Sequence, residues 1–190
     1  MRKLIESTHV ALGGEIEPLD WALKYLDDEH MRYATELLNG ADALLLGRRT
    51  YEGLSAAYSA MSSSPFVDRM NSIRKYVASR TLTETTWNAS VISGDVASFV
   101  ADLKRQTGGN IVKYGNGPLD RLLMANNLID EFHILLTPVA AGSGRHIFEE
   151  IQGDPRLSLA SVKHFTSGVL VLIYTAEKKN PPVALNHLNP

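Results

Sequence analysis

Apolar residues along this chain alternate between two patterns. Some form short near-continuous runs, and others recur three and four positions apart in longer stretches. Residues 4–12 interleave apolar positions with Ser7, Thr8 and His9, predicting a first strand that stops at the Gly13-Gly14 turn. Residues 15–27, with Pro18 and Trp21, read as a polar loop. A helix is predicted over 29–38, with Met31, Ala34, Leu37 and Leu38 on one face and Asn39-Gly40 as its stop. The leucine run ending at Leu46 predicts the next strand, and residues 48–57 the next helix. Ser62-Ser63-Ser64-Pro65 opens a further helix carrying Phe66, Met70 and Ile73. Residues 75–79 and 91–93 are short strand candidates. Val96, Phe99, Val100 and Leu103 then form a helical face closed by Gly108-Gly109.

Residues 111–114 predict another strand, ending in Gly115-Asn116-Gly117-Pro118 before a helix with Leu119, Leu122, Leu123 and Met124. A long strand follows over 129–137, then the glycine-rich Ala141-Gly142-Ser143-Gly144-Arg145. Strands over 157–165 and 169–176 are joined by Thr166-Ser167-Gly168, a hairpin spacing. Residues 1–176 therefore read as a single domain, and 177–190, with Pro181, Pro182 and Pro190, as a loose C-terminal tail. Strands alternating with helices, then a terminal hairpin, imply an α/β fold with a mostly parallel central sheet and antiparallel strands at one edge. Ligands on such sheets bind at the carboxyl ends of the strands. The corners at Gly13, Gly47, Gly94 and Gly115 all follow strands and are expected to meet there.

Composition narrows the class. The 190 residues are 44% hydrophobic and carry 19 basic and 21 acidic side chains, a formal net charge of −2, with no basic cluster of the kind that binds nucleic acid. No apolar run is long enough to span a bilayer. The absence of cysteine excludes disulfides, thiol nucleophiles and thiolate-bound metals. The start, Met1 to Ile5, meets Glu6 and His9 before an apolar stretch can form, unlike a secretory signal, so a cytoplasmic location is expected.

Leu46-Gly47-Arg48-Arg49-Thr50 is the first chemical candidate. A strand ends in glycine, and two arginines and a threonine open a helix whose N–H groups and dipole favour an anion. The alternative is an ordinary strand-to-helix turn with solvated arginines. Gly115-Asn116-Gly117 could hold a pyrophosphate on backbone N–H groups, or be a tight turn. It is not the dinucleotide fingerprint, because Asp120 stands where a third glycine belongs. Ser79-Arg80, just past a strand end, could hold a ribose 2′-phosphate or be a polar strand terminus. None of the six histidines shows metal-ligand spacing, so no metal site is expected. There is no Gly-x-Ser-x-Gly elbow. Asp27, Asp28 and Glu29 are candidates for proton chemistry, equally explained as helix N-terminal charge.

The ordered set Ala11-Leu12-Gly13-Gly14, Ala41 through Glu52, Lys75 through Leu82, Trp87-Asn88, Tyr114 through Gly117, Leu128 through Glu131, and Pro138 through Arg145 with Phe148 resembles the dihydrofolate reductase-like superfamily. More narrowly, it is similar to stand-alone relatives of the C-terminal reductase domain of the riboflavin-biosynthesis deaminase–reductase. The resemblance implies a three-layer sandwich with helices on both faces, often a homodimer, and a cytoplasmic NADPH-dependent oxidoreductase. That enzyme would resemble 5-amino-6-(5-phosphoribosylamino)uracil reductase or dihydrofolate reductase, passing hydride to a pterin-like or ribosylaminopyrimidine substrate. It further implies that Gly47, Arg48, Arg49 and Thr50 hold cofactor phosphates and that Ser79 and Arg80 meet the 2′-phosphate. Gly115, Asn116 and Gly117 would cradle the pyrophosphate, with Leu12, Gly13 and Gly14 along the nicotinamide. The family's first loop usually reads Ser-Leu-Asp-Gly, and Ala11-Leu12-Gly13-Gly14 lacks both the serine and the aspartate. A catalytically weakened NADP-binding module of the same fold is the alternative, and the catalytic residues are left unassigned.

Overall fold

The computed structural model describes residues 1–177, so the expected tail lies, beyond Glu177, outside the described residues. Eight strands form one sheet: β1 Leu4–Val10, β2 Ala41–Gly47, β3 Arg74–Ala78, β4 Ala89–Val91, β5 Asn110–Tyr114, β6 Glu131–Leu136, β7 Leu157–His164 and β8 Leu170–Ala176. Their order is β4-β3-β2-β5-β1-β6-β8-β7. The first six pair in parallel, whereas β8 runs antiparallel to both β6 and β7. The helices are α1 Asp28–Asn39, α2 Arg48–Ser59, α3 Pro65–Ser72, α4 Val96–Arg105 and α5 Pro118–Ala125. No described helix is long and apolar enough to cross a membrane.

The apolar runs are central strands covered on both faces. Leu44, Leu45 and Leu46 are all fully buried, the even positions against α1, α2 and α3 and Leu45 against the α4 and α5 side. Helices divide between the faces because the direction of winding reverses. The chain steps from β1 to β2 to β3 toward one edge, then from β4 to β5 to β6 toward the other. Right-handed crossovers place the helices of those two journeys on opposite faces. β2 and β5 lie side by side yet send the chain in opposite directions, leaving a crevice beyond their carboxyl ends.

Two expectations change. The segment 15–27 is not wholly loop: Leu19–Tyr25 is a 3-10 helix with Ala22 buried and Leu19 and Leu23 exposed. Gly94 does not join the other glycine corners. It follows edge strand β4, separated from the β2–β5 crevice by β3.

Candidate functional site

The crevice gathers three of the sequence candidates. Helices α1, α3 and α4 are capped by the side chains of Asp27, Ser64 and Asp95. Helix α2 begins at Gly47 with no side-chain cap and no acidic residue in its first turn, so its leading N–H groups lack a side-chain acceptor. Arg49 extends from that turn with its side chain 80% exposed, and its guanidinium comes only within 3.9 Å of Glu17. Arg48 is more restrained, donating to Glu52 at 2.7 Å and to the Thr81 hydroxyl at 2.6 Å. That second bond draws the Ser79–Thr81 corner to the start of α2. Ser79 Oγ accepts the N–H groups of Thr81 and Leu82 at 3.2 and 3.0 Å, and Arg80 is exposed.

Gly115 closes the other side. It sits at φ +78°, where a Cβ would run into the Thr50 hydroxyl, so glycine is what lets the β5 corner touch the first turn of α2. Asn116 Oδ1 is buried without a hydrogen-bond partner. The Gly117 N–H donates to Asp120 at 2.7 Å, closing a cap on α5. That N–H is therefore committed inside the protein, and Asp120, the residue in the third-glycine position, is what commits it.

Beneath this corner lies a cluster of buried charges. Lys113 on β5 is 1% exposed and stands 2.7 Å from both Glu6 on β1 and Asp120 on α5. Its ammonium also donates to the Gly115 carbonyl. Burial, with Asp120 beside it and Lys113 opposing, lifts the Glu6 carboxyl well above the usual carboxylate range. Desolvation pulls Lys113 down, but Glu6 and Asp120 outweigh it and leave the ammonium above its ordinary value. The glycine corner is thus anchored to the sheet by a charge cluster.

A cavity of about 480 Å³ opens from the crevice, bounded by Arg49, Thr50, Gly115 and Asn116 at its mouth. Its walls are mainly apolar and come from the 3-10 helix (Leu19, Ala22, Leu23), α1 (Met31, Ala34, Leu37), α2 (Leu54, Tyr58) and α3 (Phe66, Met70). At the sheet end His9 from β1 stacks on His30 from α1, with ring centroids 4.9 Å apart. The Nδ1 atoms of both rings are buried and unpartnered. Burial, with His30 alongside, takes the His9 imidazole down to about 3, and burial also lowers His30. Both rings are therefore neutral near pH 7. Tyr33, also on the cavity wall, binds His133 Nδ1 at 2.6 Å, and His133 Nε2 meets Glu131 at 3.2 Å, clamping α1 to β6.

The first-loop corner lies apart from the cavity wall. Leu12 is 61% exposed, with its N–H on the Val139 carbonyl at 2.8 Å, and Gly14 at φ +95° turns the chain. A Cβ on Gly13 would lie 2.5 Å from a Glu15 carboxylate oxygen. The Glu15 carboxylate, 6% exposed as a residue, fills that space and accepts the Gly142 N–H at 3.2 Å. Asp27 and Glu29 have structural partners, the His30 N–H at 2.8 Å and the Thr166 N–H and hydroxyl at 2.5 Å. The residues that sequence reasoning passed over are Glu6, Lys113, His9, His30 and Tyr33. Ser7 and His9 alternate onto one strand face, and His30, Ala34 and Leu37 share one helix face, which is the signal that could have found the histidines.

Comparison with known proteins agrees with this architecture. The profile described as the RibD C-terminal domain matches residues 2–171. The Bacillus subtilis (strain 168) protein YyaP is 30% identical over 182 residues, covering 91% of this chain and 94% of its own. A Thermotoga maritima diaminohydroxyphosphoribosylaminopyrimidine deaminase/5-amino-6-(5-phosphoribosylamino)uracil reductase superposes with a TM-score of 0.66 at 14% identity, covering 92% of this chain and 56% of that one. Schistosoma mansoni dihydrofolate reductase superposes with a TM-score of 0.56 at 15% identity, covering 93% of this chain and 99% of that one. At these identities the two superpositions establish the shared fold.

Proposed function

We propose, for a chain that belongs to the RibD C-terminal domain family, an NADPH-dependent reductase acting on a ring-bearing substrate held in the cavity. The observation that carries this reading is continuity. The uncapped, arginine-bearing start of α2 and the Gly115-Asn116 corner form the mouth of the apolar cavity. The residues fit a phosphate-bearing cofactor. Arg49, Thr50 and the first-turn N–H groups of α2 would hold phosphate, Arg48 would steady that turn, and Ser79 and Arg80 would take the 2′-phosphate. Asn116 Oδ1, buried and unpartnered, is an acceptor awaiting a donor. When bound, NADPH supplies the hydride. The chain's own contribution is to align the acceptor carbon, exclude water and keep the imidazoles neutral beside it.

The test is thermal unfolding with NADPH. At 100 times its Kd, a ligand that binds only the native state adds about 2.7 kcal/mol, roughly 5–11 °C for a domain of this size. NADH should shift it less, and Arg49→Ala and Arg80→Ala should each shrink the NADPH shift. No shift at saturating NADPH refutes the proposal. The bare Gly13 favours a second reading, a cofactor-binding module without turnover. Oxidation of NADPH that depends on an added acceptor eliminates that reading.

A further inference from the structure

The cavity also bears on substrate class, and this inference rests on the reading above that the cavity is the substrate site. A pterin or aminopyrimidine presents adjacent N–H donors, which a buried carboxylate binds most strongly. Glu17 is the single acidic residue among those lining the cavity, and it stands at the mouth between Arg49 at 3.9 Å and Arg145 at 3.6 Å. A phosphoribosyl group calls for cations, and Arg49 is the one arginine or lysine on the lining, already assigned to the cofactor. Past the mouth the walls are largely leucine, alanine, methionine and aromatic side chains. Ser7, Thr8 and the His9–His30 stack make the sheet end polar.

His30 is 6% exposed and its Nδ1 has no partner, and neither has that of His9. Both imidazoles line the cavity, so they are hydrogen-bonding groups that a mainly apolar wall presents to an occupant. A neutral imidazole offers one N–H and one lone pair, and so serves a carbonyl or a hydroxyl alike. We propose that the substrate is an uncharged, mainly hydrocarbon ring compound whose carbonyl or hydroxyl oxygen lies against the His9–His30 pair, and not a pterin or a phosphoribosylated pyrimidine.

Titration calorimetry of the whole chain with α-tetralone and tetralin tests this, because the two probes differ only in the carbonyl. Tetralin leaves water more readily, by roughly tenfold. In the wild type, tetralone is expected to bind at least as tightly as tetralin. In His9→Phe/His30→Phe the order should invert toward that tenfold preference for tetralin. Should the double variant fail to fold, His30→Phe alone carries the comparison. Ala34→Phe, which fills the cavity, should abolish tetralone binding while leaving the NADPH thermal shift in place. Biopterin and ribose 5-phosphate should not displace tetralone. The proposal is overturned if tetralin binds tighter in the wild type, if biopterin or ribose 5-phosphate outcompetes tetralone, or if tetralone does not bind at all. Loss of the NADPH shift with tetralone binding intact would instead refute the cofactor reading alone.

Discussion

Replacing Lys113 by methionine tests the link between the buried charge cluster and the glycine corner above it. Methionine keeps most of the volume and removes the charge, leaving Glu6 and Asp120 facing each other at 1% and 7% side-chain exposure. Removing one partner of a buried ion pair costs about 3–5 kcal/mol, because the remaining charge stays desolvated and unpaired. At roughly 2–4 °C per kcal/mol for a domain of this size, Lys113→Met should melt about 6–20 °C below the wild type. Circular dichroism melts and urea titrations measure this directly. Burial and Asp120 both raise the Glu6 pKa, so Glu6 is costly to keep charged, and its replacement leaves the Lys113–Asp120 pair in place. Glu6→Gln should therefore cost under about 1 kcal/mol, within the net value of a single hydrogen bond. Asp120→Asn should cost about 2–4 kcal/mol, because it removes the charge partner and leaves one oxygen where the Gly117 N–H and the Lys113 ammonium now each have their own. The reasoning is refuted if Lys113→Met melts with the wild type, or if Glu6→Gln proves as damaging as Lys113→Met.

Gly13→Asp, which restores the aspartate usual in the family's first loop, should destabilise this protein by about 1–3 kcal/mol or more. The new side chain would meet the Glu15 carboxylate in space already filled, so Gly13→Asp/Glu15→Ala should recover much of the loss in urea titrations. His9 predicts an acid limb. Its folded pKa of about 3 lies below the unfolded value of 6.5, so the unfolded state binds the extra proton between those values. Stability should accordingly fall as pH drops from 6.5 toward 3, with a slope of at most about 1.4 kcal/mol per pH unit. His9→Phe should flatten that limb, and an unchanged slope would rule His9 out as its source.

Much of the corner between β2, α2 and β5 was legible in sequence because it depends on local rules. A leucine run reaching Gly47, then Arg48 and Arg49, specifies a strand end and a helix start within a few residues. The Gly115 turn is equally local. What the sequence leaves unseen depends on register. Glu6 and Lys113 are 107 positions apart and become neighbours only because β1 and β5 pair with Glu6 opposite Lys113. His9 and His30 come together only once α1 has crossed back over the sheet. The 15–27 segment misled because its 3-10 helix, Leu19–Tyr25, buries Ala22 alone and leaves Leu19 and Leu23 exposed, so no buried stripe marks it in the sequence.

The two ends of the site differ in what holds them. The end proposed to hold phosphate rests on backbone: a helix left uncapped by Gly47, a glycine at φ +78° against Thr50, and an N–H fixed by Asp120. Such a corner constrains a few residues tightly and says little about the rest of the chain. The cavity end rests on side chains of the 3-10 helix, α1, α2 and α3, which can change size and polarity without moving the β2–β5 crevice. One fold can therefore keep its cofactor while its acceptor changes, which is why fold alone does not name a substrate. In this chain the cavity end carries neutral histidines and hydrocarbon where charged recognition would need carboxylates and arginines. The acceptor therefore has to be inferred from these side chains, and they point away from the pterin and ribosylaminopyrimidine that the resemblance alone would suggest.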